Sequence, residues 1–223
     1  MSFFKLFIDH SKKDSFVNRL RKKRFSLLQQ RIESLIEHKK PFKILDIGGD
    51  IRYWKHIGWK NSDCHIYLLN LFENKIDEAD VGNFHAVVGN AVNLPFGPGE
   101  FDLVYSNSVI EHVGSYENQE KFAAEVKRVC DRYIIQTPSQ WFPMEPHSMI
   151  PLFQFIPHKI RALLIMAFNI NYFPKAKTYK EAVAVSRTTM MFTLKRFRKL
   201  FPDAEIYVEK LFGIPKSYTA IKL

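Results

Sequence analysis

The sequence predicts an α/β protein: a seven-stranded, mostly parallel sheet with helices on both faces, three layers in all. Three observations predict it. Apolar runs (KILDI, HIYLL, HAVVG, FDLVYS and RYIIQ) recur in order between stretches of helical spacing, the pattern of parallel βαβ units. The runs are nearly continuous rather than alternating, as strands buried on both faces must be. Finally the chain closes with a helical segment, the strand AEIYVEKLF and the strand PKSYTAIKL, joined through Gly213 and Pro215, which predicts an antiparallel pair at the sheet edge.

Residues 15–38 place Phe16, Leu20, Leu27, Ile32, Leu35 and Ile36 near helical spacing with charges between them, so residues 1–40 read as a helical lead. The main domain then runs from 41 to 223. Its first strand, KILDI, ends in Asp46, Gly48 and Gly49, where glycine permits a turn and a close approach of backbone to a ligand. ENQEKFAAEVKRVCD is the helix before RYIIQ. After Thr137 the rhythm breaks at Pro138, Pro143, Pro146, Pro151 and Pro157, too many for regular helix or central strand. This block, about 138–178, reads as an inserted cap with one helix around His158 to Phe168, and TTMMFTLKRFRKLF resumes the domain as a helix.

With 223 residues the chain suits one α/β domain with an insertion. Its net charge of +10 favours an anionic partner (nucleic acid, acidic membrane or phosphorylated substrate) or is simply a basic surface. Two basic clusters carry it: Lys12, Lys13, Arg19, Arg21, Lys22, Lys23 and Arg24, then Lys195, Arg196, Arg198 and Lys199. No nucleic-acid module accompanies them, so solvated helix faces near anionic lipid are expected. Cys64 and Cys130 stand far apart, so neither a disulfide framework nor a metal site is expected. The start lacks the apolar core of a signal peptide, and ALLIMAFNI is about half the ~20 residues of a membrane span. A cytoplasmic protein, peripheral at the inner face of the membrane, is the expectation.

The strand ends form an ordered series: DIGG, LLN ending in Asn70, GNAVNLPF with Asn90 and Ala91, and FDLVYSNSVIEHV with Ser106 and Asn107. Ligands of open α/β sheets bind at such ends. The series resembles the class I S-adenosylmethionine-dependent methyltransferases, a Rossmann-like fold, in the methyltransferase type 11-like family; FDLVYSNSVIEHV is its most specific part. The resemblance implies S-adenosylmethionine as cofactor. Asp46, Gly48 and Gly49 would form its loop, Asn70 would meet the ribose, Asn90 and Ala91 the adenine, and Ser106 and Asn107 the methionine end. Asn70 and Asn90 stand where the family usually has acids, and each amide retains one acceptor oxygen.

The acceptor is expected to be a small molecule, a glycan or a lipid-linked glycan, methylated on oxygen. Aligning acceptor and methyl supplies much of the acceleration, and a base is needed if a hydroxyl must lose its proton. His112, in SVIEHVG, and His147, in FPMEPHSM with Glu145 nearby, are the candidates. Trp141, Phe142, Phe153 and Phe155 either close the cap's core or wall the acceptor site, and IPHKIRALLIMAFNINYF offers an apolar face with Lys159 and Arg161 for a membrane. The open alternatives are an RNA methyltransferase and a catalytically degenerate binding module. Oligomeric state is not legible.

Overall fold

A computed structural model describes residues 16–73, 76, 82–145, 147–148, 150–168, 170, 173 and 175–223. The strands are β1 (Phe42–Ile47), β2 (Cys64–Asn70), β3 (Phe84–Val88), β4 (Leu103–Asn107), β5 (Tyr133–Pro138), β6 (Glu205–Leu211) and β7 (Ile214–Lys222). They form one sheet in the order β3-β2-β1-β4-β5-β7-β6. The first five are parallel, and β7 runs antiparallel between β5 and β6. Strand order reverses between β1 and β4, so a crevice opens above their carboxyl ends.

Alternation along β1 divides the two faces. Phe42 and Ile44 join one buried cluster with Trp54, Tyr105 and Ile221, whereas Leu45 and Ile47 join the other with Phe122, Val126, Tyr133 and Phe197. The first face is covered by α1 (Phe16–His38) and α2 (Ile51–Ile57), the second by α3 (Tyr116–Val129) and α6 (Leu194–Leu200). On α1 the buried apolar residues among those described are Phe25, Leu28, Ile32 and Ile36, a strict three-to-four spacing. That corrects the sequence reading at Leu27, which is 55% exposed, while Leu35 is only half-buried. The side chains of Phe16, Leu20 and Arg21, and all of Lys12 and Lys13, lie outside the described residues. Arg19, Lys22 and Lys23 are exposed, but Arg24 is buried, because its guanidinium pairs with Glu209 on β6 at 3.2 Å.

Above the sheet, α4 (His158–Ala167) and α5 (Tyr179–Ser186) pack with the 3-10 turn Phe153–Phe155 around their own cluster of Phe153, Ala162, Ile165, Ile170, Phe173, Ala176 and Ala182. Thr178 and Glu181 close a reciprocal capping box at the start of α5, so the packed unit continues past residue 178. TTMMFTLKRFRKLF is helical only from Leu194, because Thr193 caps that helix by accepting from the Arg196 amide. No helix among the described residues is long and apolar enough to cross a membrane.

Candidate active site

The loop after β1 is locked by local packing. Gly48 has φ of +72°, and a Cβ there would lie 2.4 Å from Cγ2 of Val109; one on Gly49 would lie 2.3 Å from Asp46 Oδ2. Only glycine fits either place. The Gly48 amide donates to the Leu69 carbonyl at 2.7 Å, and the Asn70 side-chain amide donates to the Gly49 carbonyl at 2.9 Å, which ties the loop to the end of β2. Where a third glycine is usual, Asp50 instead caps α2, accepting from the Arg52 amide at 2.8 Å, and the Arg52 guanidinium clamps its carboxylate.

Asp46 lies under this loop and is 2% exposed. Trp54 Nε1 donates to it at 2.7 Å. Burial pushes its pKa up to about 8, with the Trp54 bond opposing the rise and the Asp50 charge adding to it. It therefore supports the loop from below. Beside it the hydroxyls of Tyr53 and Tyr105 hydrogen-bond to each other, with the rings stacked at 5.7 Å.

The other strand ends converge on the same edge. Asn70 is bound through its nitrogen, and no partner of its oxygen is seen among the described residues. Leu71 and Phe72, which the sequence reading passed over, follow it 63% and 80% exposed, an apolar surface suited to a ring face. Asn90 is exposed and shares its side-chain oxygen with the Val92 amide at 3.1 Å, while Ala91 is buried against the core. Ser106 is fully buried and donates to the Ile47 carbonyl at 3.1 Å, joining β4 to β1. The oxygen of Asn107 accepts from Arg24 at 3.2 Å. Ser108 takes φ of +61°, uncommon outside glycine, and its hydroxyl donates to Gln136 at 2.9 Å. This donor set, two amide oxygens beside an apolar wall and a glycine loop at the switch point, fits an adenosine-bearing cofactor.

Past β4 the chain makes a 3-10 turn, Ile110–His112. Glu111 is fully buried; Thr137 Oγ1 on β5 donates to its Oε2 at 2.9 Å, whereas its Oε1 is buried with no partner. Burial raises its pKa to about 7. His112 is the most accessible of the group, yet enough protein surrounds it, with His147 adjoining, to lower its pKa. His147 comes down from the cap, and the two imidazoles meet edge to face at 4.5 Å. His147 Nδ1 bonds Glu145 Oε1 at 2.6 Å, and the Ser148 amide donates to Glu145 Oε2. Burial would raise the Glu145 carboxyl, but the bond to His147 and the Ser148 amide hold it below its ordinary value. Both predicted histidines thus sit together, joined by Glu111, which the sequence reading overlooked although it is the one acid in an apolar VIEHV run. The sequence reading expects no metal site; the fold nevertheless assembles three ligand-capable groups from either side of β5.

In the cap, Phe153 is core, Phe142 is half-buried, and Trp141 and Phe155 are 56% and 44% exposed.

Residues 45–132 match the family model described as a methyltransferase domain. Over these residues the chain matches a methyltransferase domain, and the strand order of the whole sheet is the one described above. A comparison with curated proteins finds no match. Among solved structures, a chain from Rhodobacter sphaeroides described as a Zn-dependent alcohol dehydrogenase shares the fold at 11% identity and TM-score 0.50, over 84% of this chain and 86% of that one. A Methanosarcina mazei SAM-dependent methyltransferase is 16% identical over 82% of this chain and 92% of its own, with TM-score 0.47. A Nostoc punctiforme chain described as an O-methyltransferase is 15% identical over 86% of this chain, TM-score 0.45, and this chain spans only 55% of its length.

Proposed function

We propose that the chain transfers the methyl group of S-adenosylmethionine to an oxygen of a small or lipid-linked glycan acceptor. The observation that carries this reading is the pairing of two groups at one edge of the sheet: the strand-end series for the cofactor, and the Glu111, His112, Glu145 and His147 cluster where β4 and β5 meet the cap. An oxygen acceptor must lose a proton, and this cluster supplies groups that can promote that loss, as a base or as ligands of an activating ion. In this reading Gly48, Gly49, Asn70, Asn90 and Ala91 bind the cofactor, with Ser106 and Asn107 bordering its methionine end and Asp46 beneath.

The lipid-linked class is supported by exposed apolar side chains of the cap. Trp141, Leu152, Phe155, Ile160, Leu163 and Phe168 are all exposed, and Lys159, next to Ile160 in the chain, is exposed too, on a chain of charge +10. Apolar side chains beside cations suit the surface of an anionic bilayer. Calorimetry with S-adenosylmethionine and its demethylated product tests the first reading: no binding at millimolar concentration sinks it. Sedimentation with anionic and neutral vesicles tests the second. Trp141→Asp with Leu163→Asp should abolish capture by anionic vesicles, and capture that persists in the double variant would refute the membrane role.

A further inference from the structure

We propose that Glu111, His112 and His147 bind one divalent transition-metal ion that holds and activates the acceptor hydroxyl. One ligand atom from each residue lies within 4.8 Å of the other two. Ligands bonded at about 2.0–2.2 Å in a tetrahedral site stand about 3.3–3.6 Å apart, so side-chain movements on the order of an ångström close the site.

Two further observations point to a ligand rather than to a chance cluster. Glu111 Oε1 is fully buried without a hydrogen-bond partner, although Oε2 is fixed by Thr137. A buried acceptor left unsatisfied is costly, and a cation among these three groups would satisfy it. His147 has its Nδ1 engaged by Glu145, which is itself held by the His147 and Ser148 amides. A carboxylate behind one imidazole nitrogen, leaving the other nitrogen forward, is the support that metal-bound histidines commonly have.

Two imidazoles and one carboxylate suit Zn²⁺, Co²⁺, Fe²⁺ or Mn²⁺ and leave coordination positions open. An acceptor hydroxyl bound there loses its proton to water more readily. Its oxygen then forms the bond to the methyl carbon, the carbon–sulfur bond breaks, and the electron pair returns to sulfur, turning the sulfonium into a neutral thioether. The metal's part in methyl transfer rests on the activity proposed above; metal binding itself does not.

The test uses the full chain, stripped with a chelator and titrated with Zn²⁺, Mn²⁺ or Co²⁺ alone, with metal content measured by mass spectrometry. One equivalent per chain is expected, and bound Co²⁺ should show the visible spectrum of a nitrogen-ligated ion. Glu111→Gln and His147→Ala should each weaken binding at least ~100-fold, and Glu145→Gln roughly 10–100-fold. Glu111→Gln is nearly isosteric, and circular dichroism confirms that each variant is folded. The stacked His65 and His85 pair, Nδ1 to Nε2 at 3.0 Å, is the internal control. Metal lost in His85→Ala but kept in His147→Ala overturns the proposal, as does a folded wild type that takes up no stoichiometric metal. Cofactor binding measured on the metal-free protein separates the two readings: if it persists while no metal binds, methyl transfer stands and the metal site falls.

Discussion

Asp46→Asn replaces a buried carboxyl by an amide of the same shape, and its effect on stability should depend strongly on pH. The folded-state pKa of Asp46 is raised from 3.8 to about 8. Between those values the native chain holds a proton that the unfolded chain has released, so wild-type stability falls as pH rises across this window. At about pH 7 the unfolded group lies some three units above its pKa while the folded group is still mostly protonated. At ~1.4 kcal/mol per unit this is a penalty of about 4 kcal/mol, an upper figure because the carboxylate can relax toward water. Asparagine offers Trp54 the same acceptor and never ionises. Urea unfolding of both proteins across the window should give equal stabilities near pH 4 and a widening advantage for Asp46→Asn up to about pH 8. A variant less stable at every pH, or a difference that ignores pH, would refute the reasoning and show that Trp54 requires an ionised partner.

Three other substitutions probe separate parts of the frame. Gly48→Ala should cost about 2–4 kcal/mol, because it meets both a left-handed backbone and the Val109 methyl, and adding Val109→Ala should recover at least about 1 kcal/mol in a double-mutant cycle of thermal unfolding. Arg24→Ala leaves Glu209 with only Lys216 and Ser217 and should cost about 3 kcal/mol in denaturant titrations, whereas the pair Arg24→Met with Glu209→Gln should lose far less. Asp203 carries the opposite sign to Asp46: partial burial would raise its carboxyl, but bonds from Lys222 and Tyr133 and the charge of Lys127 hold it well below the usual range. Its stabilisation is present above the ordinary value of 3.8 and fades as pH falls below it, so Asp203→Asn should lower the melting temperature at neutral pH and cease to matter in acid.

The central strands β1, β4 and β5 were legible because a strand buried on both faces must be an unbroken apolar run, whereas the half-exposed edge strands β3 and β6 were marked by the turns that bound them. The register of α1 was less legible. Leu27 looks as suited to a core as Leu28, and only the sheet beneath decides which of them is buried. The turn after β1 could be read because Gly48 and Gly49 announce it, but the burial of Asp46 depends on Trp54 arriving from the next helix. In the cap, prolines mark the break without saying which aromatics face inward. The meeting of Glu111 with His147 was hidden for a plainer reason: no local spacing reveals two segments joined across a strand.

Arg24 bonds Asn107 at the edge of the cofactor crevice and Glu209 on β6, 185 residues away. The glycine loop and the ends of β2 and β4 are assembled by short βα steps and can order early. The Asn107 corner waits for β6 and β7, whose β7 must slot between β5 and β6 before Glu209 is in place for the arginine. Distant contacts of this kind form slowly. During synthesis and refolding, the β1–β4 edge should therefore order before the Asn107 corner. One arginine of the first described helix thus clasps the last hairpin to the end of β4.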